Sequence, residues 1–192
     1  MPNEPDRRTQ ILDTALACFL DRGYAATSIA DIRAGSGAST GSIYHFFSNK
    51  GALASALVQR AIAGWGAATA AIQPDMPAEA AIRASVSGLV IWGLERPAER
   101  RFLDEMRSLA RLDPTLADVA QFFARGADAA SALYAQYRQR GEVRDLPWPI
   151  AHALMLGPAY DFLRHADPGV APAQAAILLA DAAWDAVRAR GT

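Results

Sequence analysis

Apolar residues recur along the chain at helical spacing, with polar residues between them. Over residues 7–20 they occupy positions 11, 12, 15, 16, 19 and 20, which form one stripe along a helix. Gly23 is suited to ending this helix. Thr27 and Ser28 offer hydroxyls that can cap the next one, and Asp31 stands three residues after Ser28, as in a capping box.

The second helix is predicted to be short, because the run Gly35-Ser36-Gly37 breaks it. Ser39 caps a third helix that ends near Phe47, and a fourth is expected over about residues 50–71. Two short helices joined by a glycine-containing turn are typical of a helix-turn-helix. The pattern therefore predicts this motif over about residues 28–47.

The remainder of the chain is also helical in pattern. Pro74 and Pro77 indicate a linker, and strand-like alternation is absent after it. Further helices are predicted over about 78–94, 98–111, 115–140, 149–165 and 172–190, separated by breakers at Pro97, Asp113-Pro114, Gly141, Pro147 with Pro149, and Asp167-Pro168-Gly169. Pro158 falls inside one of them and should kink it. We expect an all-α protein with a three-helix N-terminal domain at 5–65 and a helical bundle at 75–192.

The third helix has an outward face suited to the major groove of DNA. Projected at about 100° per residue, one arc carries Thr40, Gly41, Tyr44 and His45, whereas Ile43 and Phe46 fall on the opposite side. Gly41 lets the backbone approach closely, and Thr40 and Ser42 can reach base edges. Tyr44 and His45 can donate to phosphates.

Helix starts add further candidates for DNA contact. Hydroxyls, amides and helix N-termini all hold phosphates. The candidate set therefore also includes Thr27, Ser28, Ser39 and Lys50, the last being the chain's single lysine.

The segment IADIRAGSGASTGSIYHFFSNKGAL resembles the signature of the TetR/AcrR family of transcriptional regulators. The matching positions are Gly37, Ser39, Gly41, Ile43, Tyr44, Phe47, Lys50 and Leu53. The resemblance covers about residues 5–65 closely. It implies a homodimer that binds double-stranded operator DNA, and a helical body that binds a small, largely apolar effector. It also implies a repressor that the effector releases from its operator. Thr40 stands where this family often has lysine or arginine.

The resemblance also assigns roles to apolar residues of the second domain. The last two helices are expected to form the dimer interface, with Leu154, Leu163, Ile177, Leu178, Trp184 and Val187 as candidates. An effector pocket is expected among Trp92, Phe102, Met106, Phe123, Tyr134, His152, Met155 and Tyr160. Closing the core of a single chain explains either set too, so both interpretations remain open.

Composition limits the class of protein. Apolar residues make up 52% and charged residues 20%, which suits a packed core. The net charge of −1 excludes a surface that is basic throughout, so DNA binding needs a local site. The lone Cys18 forms no internal disulfide, the first ten residues do not resemble a signal peptide, and no apolar run is long enough to cross a membrane. We therefore expect a cytoplasmic protein without a membrane partner.

Two other functional classes compete with DNA binding. An enzyme is not expected, because the sequence has no helical Glu-x-x-His pair, no Cys/His cluster and no glycine-rich phosphate loop. Its three histidines have no metal-binding spacing, so neither a metal nor a cofactor is predicted. The alternative is a helical ligand-binding or interaction protein with weak or lost DNA binding, which Thr40 in place of a basic residue keeps open.

Overall fold

The computed structural model describes residues 6–69, 75–165 and 169–190, and these residues are predominantly helical. The helices are α1 (Arg7–Arg22), α2 (Ile29–Ser36), α3 (Thr40–Phe46), α4 (Lys50–Ala68), α5 (Ala78–Glu95), α6 (Pro97–Leu109), α7 (Ala117–Gln139), α8 (Trp148–Arg164) and α9 (Pro172–Val187). A 3-10 turn at Pro114–Leu116 precedes α7. Within the described ranges, β structure is limited to an isolated antiparallel bridge between Val143 and Arg188. The all-α prediction is confirmed.

Prolines stand at the starts of four helices, among them Pro97 and Pro147, which the sequence predicted as breakers. Pro97 and Pro172 are the first residues of α6 and α9, where a missing backbone N–H costs nothing. Pro77 and Pro147 directly precede α5 and α8. Pro158 lies inside α8, which continues through it. Pro74 and the pair Asp167-Pro168 lie outside the described residues.

The first of two compact units comprises the described residues up to Ile62 together with 97–124. Here α2 packs against both α1 and α3, and α6 packs against α1. Phe19 and Phe102 stack at a centroid distance of 5.8 Å, and both are fully buried. The core of this unit is completed by Ile11, Leu12, Ile32, Ile43, Leu53, Met106, Leu116 and Val119.

This division differs from the one expected from the sequence. Residues 97–124 were assigned to the domain at 75–192, but they cluster with the N-terminal unit. The physical reason is that Phe102 and Met106 fill the core beside α1 rather than a bundle formed by the later helices. Whether functional domains follow the predicted boundaries stays a prediction.

The second unit comprises the described residues of 63–96 and 125–190. Helix α5 packs against α8 and α9, which also pack against each other. The buried face of α9 consists of small residues, namely Ala175, Ala176, Ala180, Ala183 and Val187. Small side chains let helix axes approach closely, so α9 packs tightly against its neighbours.

The segment between α7 and α8 joins three helices of this second unit. The carboxylate of Glu142 accepts a 2.6 Å hydrogen bond from the N–H of Ala78, which caps α5. The N–H of Arg144 donates to Val187 at the end of α9, and Tyr134 donates its hydroxyl to the carbonyl of Arg144. No helix among the described residues is long and apolar enough to cross a membrane.

Candidate nucleic-acid interface

The start of α2 is fixed by a capping box. The hydroxyl oxygen of Ser28 accepts from the N–H of Asp31 at 3.2 Å, and the Asp31 carboxylate accepts from the N–H of Ser28 at 2.8 Å. The Ser28 hydroxyl also donates to this carboxylate at 2.6 Å. The two bonds that the carboxylate accepts from the hydroxyl and N–H of Ser28, with Arg22 at 2.8 Å, hold the pKa of Asp31 below its usual value. The sequence-predicted capping box is therefore present.

The turn between α2 and α3 depends on a left-handed residue. Gly37 has φ of +62°, which glycine adopts without strain, and its N–H donates to the carbonyl of Arg33 at 3.1 Å. Ser39 then begins α3 by accepting from the N–H of Ser42 at 3.1 Å. Ile32 and Ile43 are fully buried, so the two helices are held by core contacts as well as by caps. The arrangement is a helix-turn-helix.

The outer face of α3 is open. The residues predicted to face outward, namely Thr40, Gly41, Tyr44 and His45, are all exposed, and Tyr44 has 51% of its surface accessible. A Cβ added to Gly41 would meet only the Ser39 hydroxyl oxygen, at 3.9 Å. Packing within the chain therefore does not explain a glycine here.

The prediction for Phe46 is wrong. This side chain is 38% exposed, whereas Phe47 is 3% exposed and lies under the guanidinium of Arg8 at 5.3 Å. The helical projection fails at this point because Phe47 has left helical geometry, with φ of −140° and ψ of 114°. The Phe46 ring instead packs edge-on against His45, and α3 ends in a row of exposed aromatic rings.

Thr27 and Lys50 stand at helix starts as predicted, but their side chains are engaged within the chain. The Thr27 side chain is buried and donates its hydroxyl to the carbonyls of Cys18 and Gly23, at 3.1 and 2.9 Å. The Lys50 ammonium donates to three backbone carbonyls of the α1–α2 loop. Both side chains are committed to this loop, so neither is free to hold a phosphate as the chain is folded here.

The three candidate serines divide by exposure. Ser28 and Ser39 are exposed, but their hydroxyls already serve as caps, and Ser42 is half-buried. Residues 6–69 carry six basic and four acidic side chains, so this segment is positive although the whole chain is not. Arg33 is an exposed cation in the last turn of α2, and sequence reasoning missed it as a candidate. Its signal was its position just before the glycine turn.

The residues predicted for the dimer interface also divide. Leu154, Ile177 and Leu178 are 37%, 61% and 59% exposed. Leu163 and Val187 are buried within the chain and Trp184 is half-buried, so the first two belong to the core of the second unit. On α9 the alanines face inward and the larger Ile177 and Leu178 face outward, which reverses the usual order for a helix in water. Ile150, which is 51% exposed, belongs with the outward set on α8.

The residues predicted for the effector pocket lie in two different units. Phe102, Met106 and Phe123 belong to the first unit, where Phe102 and Met106 are fully buried and Arg107 lies over the Phe123 ring at 5.4 Å. Phe102 and Met106 are therefore core residues of the first unit, and their part in an effector pocket stays a prediction. Members in the second unit are Trp92, Tyr134, His152, Met155 and Tyr160.

A connected row of rings runs through the second unit. Trp148 lies 6.0 Å from Tyr134 and 5.4 Å from His152, and His152 lies 6.4 Å from Tyr160. Burial raises the pKa of Tyr134 above its ordinary value. Trp148 was missed from the sequence, although it stands four residues before His152 on one helix. Across the described residues, no three side chains of the His, Cys, Asp or Glu type are grouped as metal ligands would be.

Comparison with known proteins matches the N-terminal segment to one family. Residues 11–57 match the model of the bacterial regulatory proteins of the tetR family. The transcriptional repressor KstR2 of Mycobacterium tuberculosis H37Rv is 46% identical over 44 residues, which are 23% of this chain and 22% of the relative. KstR2 of Rhodococcus jostii RHA1 matches with the same identity and length. The match spans about a fifth of the length of these relatives.

Solved structures match over nearly the whole chain. A TetR-family regulator from Marinobacter aquaeolei VT8 has a TM-score of 0.76, with 23% identity and 96% of each chain covered. The ketosteroid transcriptional regulator KstR2 of Mycobacterium tuberculosis has a TM-score of 0.64, with 20% identity and 98% of each chain covered. At these identities the likeness establishes the fold. Residues 11–57 are therefore similar to the N-terminal segment of the tetR family of bacterial regulatory proteins, and the fold of the chain is that of solved TetR-family regulators.

Proposed function

We propose that this chain is a sequence-specific transcriptional regulator that binds double-stranded operator DNA as a homodimer. Repression is the proposed mode, with release by a small, largely apolar effector. The proposal assigns no catalytic reaction to the chain and places its action in the cytoplasm, with the DNA it regulates.

The observation that carries the proposal is the exposed face of α3. Thr40, Gly41, Tyr44 and His45 project from a capped, well-packed helix and have no partner surface in the chain that accounts for them. In a helix-turn-helix, the second helix enters the major groove and the first crosses the backbone. Arg33 at the end of α2 is therefore the proposed phosphate contact, in place of Thr27 and Lys50.

Dimerisation is proposed through the outward apolar residues of α8 and α9. Ile150, Leu154, Ile177 and Leu178 are larger than the alanines that α9 buries, and four such side chains in water favour a partner. A second copy of the chain also meets the requirement of DNA geometry. Two recognition helices must reach major grooves about 34–36 Å, or a multiple of that distance, apart.

The effector site is proposed within the second unit, along the row of Tyr134, Trp148, His152 and Tyr160. Apolar walls with a few polar groups are usual in small-molecule sites, and Trp92 and Met155 are buried apolar residues of the same unit. An apolar effector is in keeping with the name of the M. tuberculosis protein of this fold, a ketosteroid transcriptional regulator. An effector can shift DNA binding only by as much as its affinity differs between the two states.

A fluorescence titration tests the proposal. Labelled DNA fragments that flank the coding region are titrated with the protein at several salt concentrations, beside scrambled fragments of equal length. We expect one fragment to bind about a thousandfold more tightly than its scrambled control, with affinity that falls as salt rises. Weak binding that is equal for all sequences would overturn the proposal.

That second outcome supports a helical ligand-binding or interaction protein instead. The observation in its favour is that α3, with the sequence TGSIYHF, contains neither lysine nor arginine. Such a protein would still dimerise and bind small molecules through its second unit.

A further inference from the structure

The ammonium group of Lys50, the first residue of α4, is held by the loop that joins α1 to α2. Its Nζ donates to the carbonyl oxygens of Tyr24 at 2.8 Å, Ala25 at 3.2 Å and Thr27 at 2.9 Å. An ammonium group has three N–H donors. Each therefore has an acceptor within the chain.

The Tyr24 ring forms one wall of this site. Nζ lies 4.4 Å from the ring centroid, a geometry in which a cation is attracted to the face of an aromatic ring. The ring is 2% exposed, and its hydroxyl is 3.3 Å from the Thr115 hydroxyl. The N–H of Tyr24 donates to the carboxylate of Glu105 at 3.3 Å. The loop is thus held by Lys50 at the start of α4 and by Glu105 of α6, and all of these residues belong to the first unit.

The residue after Lys50 supports the same arrangement. A Cβ on Gly51 would collide with the carbonyl of Thr115, so a glycine is required for the turn at 113–116 to lie against the start of α4. Thr115 is also the residue that contacts the Tyr24 hydroxyl. Lys50 and Gly51 together keep the start of α4, the α1–α2 loop and this turn in one packed cluster.

The loop that Lys50 holds leads directly into the helix-turn-helix. Thr27 ends the loop, and Ser28 is the N-cap of α2. A shift of the loop would move the start of α2 and, through the buried Ile32 and Ile43, the outward face of α3. A hydroxyl of Thr27 bonded to Cys18 and Gly23 holds the same loop from the α1 side.

We infer that Lys50 is a positioning residue for DNA recognition, which fixes the α1–α2 loop and thereby the helix-turn-helix and does not itself bind a phosphate. This inference rests on the proposed DNA binding for its consequence, but the contact itself can be tested without DNA. Because Lys50 is the single lysine of the chain, its ε-amine is the one side-chain amine that such a reagent can label, and it is distinguished from the N-terminal amine by the peptide that carries it.

The first test is labelling of the wild-type protein with an amine-reactive ester, followed by mass spectrometry of the peptide that contains Lys50. A short lysine peptide in the same tube is the reference for a free amine. We expect Lys50 in the folded protein to react at least about tenfold more slowly than the reference, to reach the reference rate in urea, and to be unchanged by operator DNA. Reaction as fast as the reference, with protection on DNA alone, would show a phosphate contact and overturn the inference.

The second test compares Lys50→Met with Lys50→Arg in operator binding over a salt series. Arginine keeps the charge, so it would preserve a phosphate contact, but its planar fork cannot place three donors on three converging carbonyls. We expect both variants, checked as folded by circular dichroism, to bind about tenfold or more weakly with the wild-type salt slope. Near-normal affinity of Lys50→Arg, or a slope reduced by about one in Lys50→Met, would instead mark a phosphate contact.

The remaining outcomes are also decisive. Folded variants with lower thermal stability but unchanged operator affinity would reduce Lys50 to a structural residue and overturn its positioning role. If a variant does not fold, the labelling of the wild type still decides whether the Lys50 ammonium is bound to the α1–α2 loop. Wild-type protein that binds no DNA, with Lys50 nevertheless protected, would refute the proposed function while leaving the contact established.

Discussion

Phe19 on α1 and Phe102 on α6 stack with their ring planes 12° apart, and neither side chain is exposed to solvent. The contact joins residues more than eighty positions apart in sequence within one packed unit. It makes Phe102 part of the core that supports the helix-turn-helix, although its sequence context suggested an effector pocket.

Phe102→Ala should therefore act on stability. Truncating a fully buried phenylalanine typically costs about 3–5 kcal/mol, because apolar burial is lost and a cavity remains. Urea unfolding of the variant measures this cost, and Phe122→Ala, at a half-buried ring of α7, is the matched control. The control should lose less than half as much unfolding free energy as Phe102→Ala. Equal losses in the two variants would show that Phe102 is not a core residue.

The pKa of Asp31 should depend on the capping box that it forms with Ser28. Because the pKa of Asp31 is lowered in the folded chain, its contribution is present above the ordinary value of about 3.9 and is lost as pH falls through the lowered value. In Ser28→Ala, the pKa of Asp31 should rise toward the ordinary value, since the largest cause of the lowering is the Ser28 hydroxyl. Carboxyl chemical shifts recorded over a pH series measure the pKa of Asp31 in the wild type and in the variant. An Asp31 pKa unchanged by the substitution would contradict this account of the cap.

Local signals in the sequence were sufficient for the helix-turn-helix. The residues that cap and turn these helices bond to near neighbours in sequence, so their roles could be predicted from spacing. The structure has each in the expected place, namely Ser28, Asp31, Gly37 and Ser39. Ile43 follows from helical periodicity for the same reason. The exposure of Phe46 could not be predicted in this way, because the projection assumes that the helix continues, whereas it ends at Phe47.

Contacts between distant residues could not be read in this way. Lys50 at a helix start suggested a phosphate ligand, but its acceptors lie 23 to 26 residues earlier in a loop whose path no local pattern specifies. Leu163 and Val187 belong to apolar stripes that fit either a core or a dimer interface, and only the packing of α5, α8 and α9 separates them from Leu154, Ile177 and Leu178.

The exposed apolar residues of α9 should control oligomeric state. Ile177→Glu combined with Leu178→Glu puts two charges on the proposed interface without touching the buried alanines, so the chain should fold as a monomer. Light scattering after size exclusion measures the mass. Leu112→Glu, at an 83% exposed leucine of the first unit, is the control and should remain dimeric. A double variant that stays dimeric would exclude this part of α9 from the interface.

Tyr44→Ala should separate DNA binding from folding. The Tyr44 side chain is half exposed and α3 is held by Ile43 from the other side, so removal of the ring should change the unfolding free energy by less than about 1 kcal/mol. Operator affinity should nevertheless fall about tenfold or more, as measured by fluorescence anisotropy. Tyr44→Phe, which removes only the hydroxyl, should have an operator affinity between those of the wild type and Tyr44→Ala. Normal binding by Tyr44→Ala would refute the role of this residue.

Gly41→Ala offers the most direct test that the outer face of α3 binds DNA. A methyl group at this position would meet only the Ser39 hydroxyl oxygen, at the ordinary contact distance of 3.9 Å, and alanine is the better helix former. The variant should therefore be as stable as the wild type or more stable by up to about 1 kcal/mol. Gly126→Ala, at another helical glycine with open space around its Cβ position, is the matched control. The measurement is operator affinity beside unfolding free energy for both variants. We predict that Gly41→Ala loses about tenfold or more in affinity without losing stability, while Gly126→Ala binds as the wild type does. Wild-type affinity in Gly41→Ala would contradict the proposal that α3 meets DNA at close range.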